Sequence, residues 1–313
     1  MKLVDILNEK IYIDSPEHDK LHAVIEKWLA NLRIQYAEDL DSYNNINSRV
    51  LNDYEKMVEP LRKSMLPTIR HMIKPYLPSD ELLQKHYANK EQHYKKMNIP
   101  WKPEHGLDYF LGHKLSMGIY GYDTPMHGSV GNWSPSYVGK RAERKHKLIN
   151  DIDLNIKDSD LARILFYPNE SIIDSWVATL THEITHLIQG LKSSHQSVSG
   201  HSLSGKNGGR ESYLSLPYEI DAFAQSVASK ILSDAKKYPN PLININSAIM
   251  GIRMGVQELF GRPFFKGPEY TEFKNMFKVP SDDPKVNTDR QRVWRTFQKA
   301  LIAKLIKYKE QLS

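Results

Sequence analysis

His182, Glu183 and His186 are the residues whose types and spacing could do chemistry together. They stand in the run Thr181-His182-Glu183-Ile184-Thr185-His186. Residues four apart on a helix stack on one face, so the two imidazoles can converge on one tetrahedral metal ion. Glu183, one position after His182, then sits beside the metal as a base rather than as a ligand. At this chain's composition the pattern should arise by accident only ~0.03 times if positions were independent.

The element that must carry them is a helix over Ser171–Gly190. Ser171 followed by Asp174 has the spacing of a capping box, and Gly190 offers a C-terminal stop. Trp176, Leu180, Ile184 and Leu187 form an apolar stripe, which predicts that the helix is buried.

Two histidines do not complete a zinc site, because a third protein ligand is needed with water in the fourth position. A third histidine at the metzincin spacing is absent, since Gln189 and Lys192 stand where a glycine and a histidine would. A carboxylate on a following helix fits better. In Pro217-Tyr218-Glu219-Ile220-Asp221-Ala222, Pro217 suits a first helical turn and Glu219 lies near the helix start. Ala222 is small enough to let that helix approach closely, so Glu219 is the expected third ligand. Glu211, Asp221, His195 and His201 are the alternatives.

These residues together carry a resemblance. His182-Glu183-x-x-His186 with a later helical Glu219 resembles the gluzincin group of zinc metallopeptidases, in a form similar to phage and bacterial members. The likeness spans roughly residues 110–235. It implies an α+β, predominantly helical fold with a zincin-like core, in which a small mixed sheet accompanies the active-site helix and the Glu-bearing helix. It implies Zn2+ as cofactor, a peptide or protein substrate, and hydrolysis by a zinc-activated water with Glu183 as general base. Tyr213 and Tyr218 are the candidate donors to the oxyanion, with His201 behind them. The chain departs from the thermolysin-type pattern around Glu219, where Tyr218, Ala222 and Phe223 replace an Asn and a Ser-Asp pair. The carboxylate that would orient a ligand histidine is therefore sought in Asp174 or Asp221. The family's architecture also calls for an edge strand beside the active-site helix, with Met117–Tyr122 and Leu161–Tyr167 as candidates.

Around this centre, three regions are expected: a helical N-terminal region over 1–98, the metallopeptidase core over 99–235, and a helical C-terminal region over 236–313. Ser15 and Pro16 open a first helix carrying Leu21, Val24, Ile25, Trp28, Leu29 and Leu32, and further helices are expected over Ser48–Lys63 and Asp80–Met97. His86 and His93 share a face of the last of these and are read as part of a solvated surface. Met117–Tyr122, Ser129–Val138 and Asp151–Ile156 read as strands, while Leu161–Tyr167 fits a strand or a short helix. The Gly- and Ser-rich stretch 192–216 would be either a lid over the cleft or a disordered loop.

Composition narrows the chemistry further. The 313 residues contain thirteen histidines and no cysteine, which removes disulfides, thiol nucleophiles and every Cys-ligated zinc site. No apolar run is long enough to span a bilayer, and charge interrupts the first residues too early for a secretory signal, so a cytoplasmic protein without membrane contact is expected (host cytoplasm or virion for a phage product). The formal charge of +6 resides in residues 285–313, where eight Lys and Arg face only Asp289 and Glu310. The rest of the chain balances to zero. Trp294, Phe297, Leu301, Leu305 and Tyr308 form a stripe on that terminal helix, expected to dock on the protein's own core. Two rival readings follow: a catalytically silent zincin-fold structural or virion protein, and a nucleic-acid-binding protein whose anionic partner meets the basic helix.

Overall fold

A computed structural model describes residues 12–76, 92, 95–96, 115–121, 128–131, 150–192, 214–255, 258–259, 262–263, 268–278 and 284–313. The chain is predominantly helical with a small sheet. Helices α1 (Ser15–Gln35) and α2 (Tyr43–Ile73) are followed by strands β1 (Leu115–Tyr120), β2 (Gly128–Gly131) and β3 (Asn150–Asn155). Next come α3 (Asp158–Phe166), α4 (Glu170–Lys192), α5 (Pro217–Lys236) and α6 (Pro241–Met254). A two-stranded ribbon, β4 (Glu258–Leu259) and β5 (Arg262–Pro263), precedes α7 (Pro268–Phe277) and α8 (Pro284–Leu312).

Helix α1 starts one residue earlier than its sequence suggests. Asp14 is the N-cap, and the Glu17 carboxylate accepts its backbone N–H at 3.1 Å. Helix α2 is far longer than Ser48–Lys63. It runs through Pro60 and Pro67 because the buried stripe Leu61, Met65, Ile69 and Met72 continues beyond them, and burial outweighs the lost N–H groups. The helix expected over Asp80–Met97, with His86 and His93, lies almost entirely outside the described residues.

The sheet has the order β1-β3-β2. Strand β3 is central, parallel to β1 with Ile119 opposite Leu154, and antiparallel to β2 with Val130 opposite Ile152. Met117, Ile119, Ile152 and Leu154 are buried on alternate positions, as a half-buried strand requires. Strand β1 lies along α2, while β2 and β3 pack on α4. Tyr54 donates to the Ile156 carbonyl at 2.6 Å and Arg62 to that of Ile119 at 2.6 Å, which ties α2 to the sheet.

The segment Leu161–Tyr167 belongs to helix α3, so it supplies no edge strand. Asp158 and Asp160 occupy its first turn, and Leu161, Ile164 and Leu165 recur at helical spacing and are buried. Strand β1 is an edge strand but lies along α2, and β2 is the edge that packs on α4.

Among the described residues, two hydrophobic cores form. The first joins α1, α2, the sheet, α3 and α4. Its tryptophans meet at 6.3 Å, and the Trp28 indole N–H bonds the Met57 carbonyl at 2.7 Å. The second joins α5, α6, α7 and α8 around Phe223, Phe273, Phe277 and Phe297, with Phe273 stacked on Phe297 at 4.5 Å. Phe297, Leu301, Leu305 and Tyr308 are buried, so the apolar stripe of the basic terminal helix docks on this core.

The two cores meet where α4 packs along α5. Ala222, Ser226, Ser229 and Ser233 share one face of α5 and are all buried, and their small size permits the close approach. At the far end of this seam the Ser233 hydroxyl bonds His18 of α1 at 3.0 Å. Among the described residues, no helix is long and apolar enough to cross a membrane.

Candidate metal centre

Helix α4 begins after Asn169, whose side-chain oxygen accepts from the Ser171 N–H at 3.0 Å and from its hydroxyl at 2.7 Å. Asn169 therefore does the capping assigned above to Ser171. The helix continues through Gly190 to Lys192, so that glycine is no stop. Trp176, Leu180, Ile184 and Leu187 are buried. Thr181 and Thr185 are also buried and bond back to the carbonyls of Ala178 and Thr181, which satisfies both hydroxyls inside the packed helix.

His182 and His186 lie one turn apart with their Nε2 atoms 3.1 Å from each other. The first turn of α5 brings Glu219 to them. Its Oε2 is 3.3 Å from His186 Nε2 and 3.7 Å from His182 Nε2. Among the described residues these three side chains form the only group of His, Asp and Glu with ligand atoms gathered closely enough for a metal ion. Glu219 is 2% exposed, and its Oε2 has no hydrogen-bond partner.

That orphaned oxygen is costly for a buried carboxylate, and it aims at the two imidazole nitrogens. A tetrahedral ion bound at ~2.0–2.1 Å has ligand–ligand edges of ~3.3–3.4 Å. The three separations of 3.1, 3.3 and 3.7 Å bracket that value. Two imidazoles and a carboxylate are also a donor set that zinc takes, so the residues present fit the ion.

The two imidazole rings have different neighbours behind them. His186 Nδ1 bonds Gln189 Oε1 at 2.9 Å, and the Gln189 amide donates to the Tyr218 carbonyl at 3.1 Å. The polar backbone of Ala222 acts on His182, and the His182 ring packs edge-on against Phe223 at 4.8 Å. Burial, with the neighbouring His186, pushes His182 well below the usual imidazole range. Burial also acts against charge on His186, but Glu219, Glu183 and Gln189 outweigh it and raise that ring to about 9. The two rings thus have unlike surroundings, His182 beside the Phe223 ring and His186 beside two carboxylates.

Glu183 is buried at 5% exposure next to the ligand pair, and its charge acts on His186. Tyr218 stands beside His186 with ring centres 6.0 Å apart. Burial and the Glu219 charge raise its hydroxyl pKa, which keeps it a proton donor. Tyr213, the other candidate donor, lies outside the described residues, as do Glu211, His195, His201 and most of the 192–216 stretch.

Neither carboxylate expected to orient a ligand histidine does so. Asp174 lies two turns before His182 on α4, where it bonds His22 at 3.2 Å and meets Lys230 at 3.2 Å and Lys237. Asp221 pairs with Lys304 of α8 at 2.9 Å, which also removes it as an alternative ligand. Behind His186 that place is taken by Gln189. Gln189 was visible in the sequence as the residue one turn after His186, but a search for carboxylates passes over an amide. Comparisons with protein-family models, with curated proteins and with solved structures find no match for the chain.

Proposed function

We propose that this protein is a zinc-dependent metallopeptidase of gluzincin type. The reading rests on one observation: His182, His186 and Glu219 present three ligand atoms at the edge lengths of a tetrahedral ion, with Glu183 buried beside them. A bound zinc would polarise a substrate carbonyl and lower the pKa of water at the site. Glu183, one residue from a ligand, accepts the proton of the attacking water and returns it to the leaving amine. Tyr218, with its hydroxyl kept protonated, donates toward the oxyanion. Gln189 holds the His186 imidazole so that the ring does not turn away.

The test is Glu183→Gln, assayed on an unfolded protein substrate with the products identified by mass. The variant should retain the wild-type zinc content and lose about 10²–10⁴-fold in turnover. Full turnover with Gln at this position would sink the mechanism.

A further inference from the structure

We infer that Gln189 is a positioning residue of the metal centre, fixing the hydrogen on His186 and registering that ligand against Glu219. The inference rests on the zinc reading above and assigns a role to a residue outside the ligand set and the general base.

The argument follows from which groups can donate. The Tyr218 carbonyl can only accept, so the Gln189 group facing it at 3.1 Å is the amide N–H. That orients the side chain and leaves Oε1, which can only accept, against His186 Nδ1 at 2.9 Å. Nδ1 must therefore carry a hydrogen. In the neutral ring this leaves the lone pair on Nε2, the nitrogen that faces His182 and Glu219.

The same side chain bridges the seam between the cores. His186 belongs to α4, and Tyr218 is the residue before Glu219 in the first turn of α5. One amide thus sets the ring of the first ligand and the backbone leading to another. Gln189 is buried, so water does not readily substitute for either bond. Its length matters as well, because asparagine at this position is one methylene short of spanning both partners.

The experiment measures zinc affinity near neutral pH by competition with a chromophoric chelator. It compares wild type with Gln189→Leu, Gln189→Asn and Gln189→Glu. Thermal melts in excess chelator check each fold, and cobalt spectra check ligand geometry. Leu and Asn should each weaken zinc about 10–100-fold and alter the cobalt spectrum. Glu, whose carboxylate still accepts from Nδ1–H but cannot donate to the Tyr218 carbonyl, should recover part of the affinity that Leu loses. Wild-type affinity in both the Leu and Asn variants would overturn the inference and leave the zinc site standing. Equal losses in the Glu and Leu variants would also overturn it, because an acceptor for Nδ1–H would then do no more than an apolar side chain. Wild-type protein that binds no zinc would remove the zinc reading, and this inference with it. If the Leu variant fails to fold, the contrast between Asn and Glu decides.

Discussion

Glu219 Oε2 stands 3.3 Å from His186 Nε2 across the seam between two hydrophobic cores. The histidines ride on α4, whose apolar face completes the first core. Glu219 opens α5, whose apolar face belongs to the second. An ion held by these ligands would cross-link the two halves of the molecule as well as serve chemistry.

Zinc should therefore raise the thermal midpoint of the whole chain. Free zinc at about a thousand times its Kd adds about 4 kcal/mol to a folded state that alone binds it. Scanning calorimetry with and without chelator measures the gain. Glu219→Ala should lose the zinc-dependent increment while keeping a folded chelated form. An unchanged midpoint on zinc addition to wild type would contradict the cross-link.

A second prediction concerns the buried carboxylate of Asp174 near the start of α4. Burial alone would raise Asp174, but the His22 hydrogen bond and the Lys237 and Lys230 cations outweigh it and hold the carboxyl well below its usual range. A depressed carboxyl stabilises the fold above its unfolded pKa of ~3.9 and loses that contribution as pH falls through the folded value. His22 is raised, chiefly by its bond to Asp174. Its contribution is complete below ~6.5 and fades as pH rises through the folded value. Asp174→Asn should cost about 3 kcal/mol at neutral pH, shrinking below about pH 4. His22→Leu should cost most between about pH 4 and 6.5 and less in alkali. Urea melts across pH, in chelator, would show it. A pH-independent penalty for both variants would contradict the assignment.

The terminal helix supplies a third. Lys304 is 2% exposed and reaches Asp221 at 2.9 Å, while Arg295 and Lys299 on the same helix are exposed. Phe297→Ala should cost about 3–5 kcal/mol and Lys304→Ala about 2–3 kcal/mol, because Asp221 loses its cation. Arg295→Ala and Lys299→Ala should stay within about 0.5 kcal/mol. Chemical denaturation of the four variants ranks them, and equal losses would mean that the helix is not docked as described.

Local patterns were readable where they depended on nearby residues. The i,i+4 pair His182 and His186 needed only a helix, and the apolar stripe around it announced one. Proline at the start of α5 placed Glu219 in a first turn. The strands expected over Met117–Tyr122 and Asp151–Ile156 overlap β1 and β3, while only the first residues of Ser129–Val138 fall in β2 and the rest of that stretch lies outside the described residues. The errors arose where a distant partner decides. Asp174 looks like a capping residue in isolation, yet His22, Lys230 and Lys237 come from two other helices. Asp221 looks available to the metal until Lys304 arrives from 83 residues downstream. Asn169 outcompeted Ser171 as the cap because the helix starts a residue sooner, and Gly190 sits inside a helix held by packing. The meeting of the two cores along α4 and α5 has no local signal beyond the small residues Ala222, Ser226, Ser229 and Ser233.

The most direct measurement of the central claim is the metal content of protein purified without added zinc, for wild type and Glu219→Ala, with folding of both verified by circular dichroism. The account predicts about one zinc per wild-type chain, as a three-ligand site requires, and little in the variant. No zinc in either folded protein, or equal zinc in both, would contradict it.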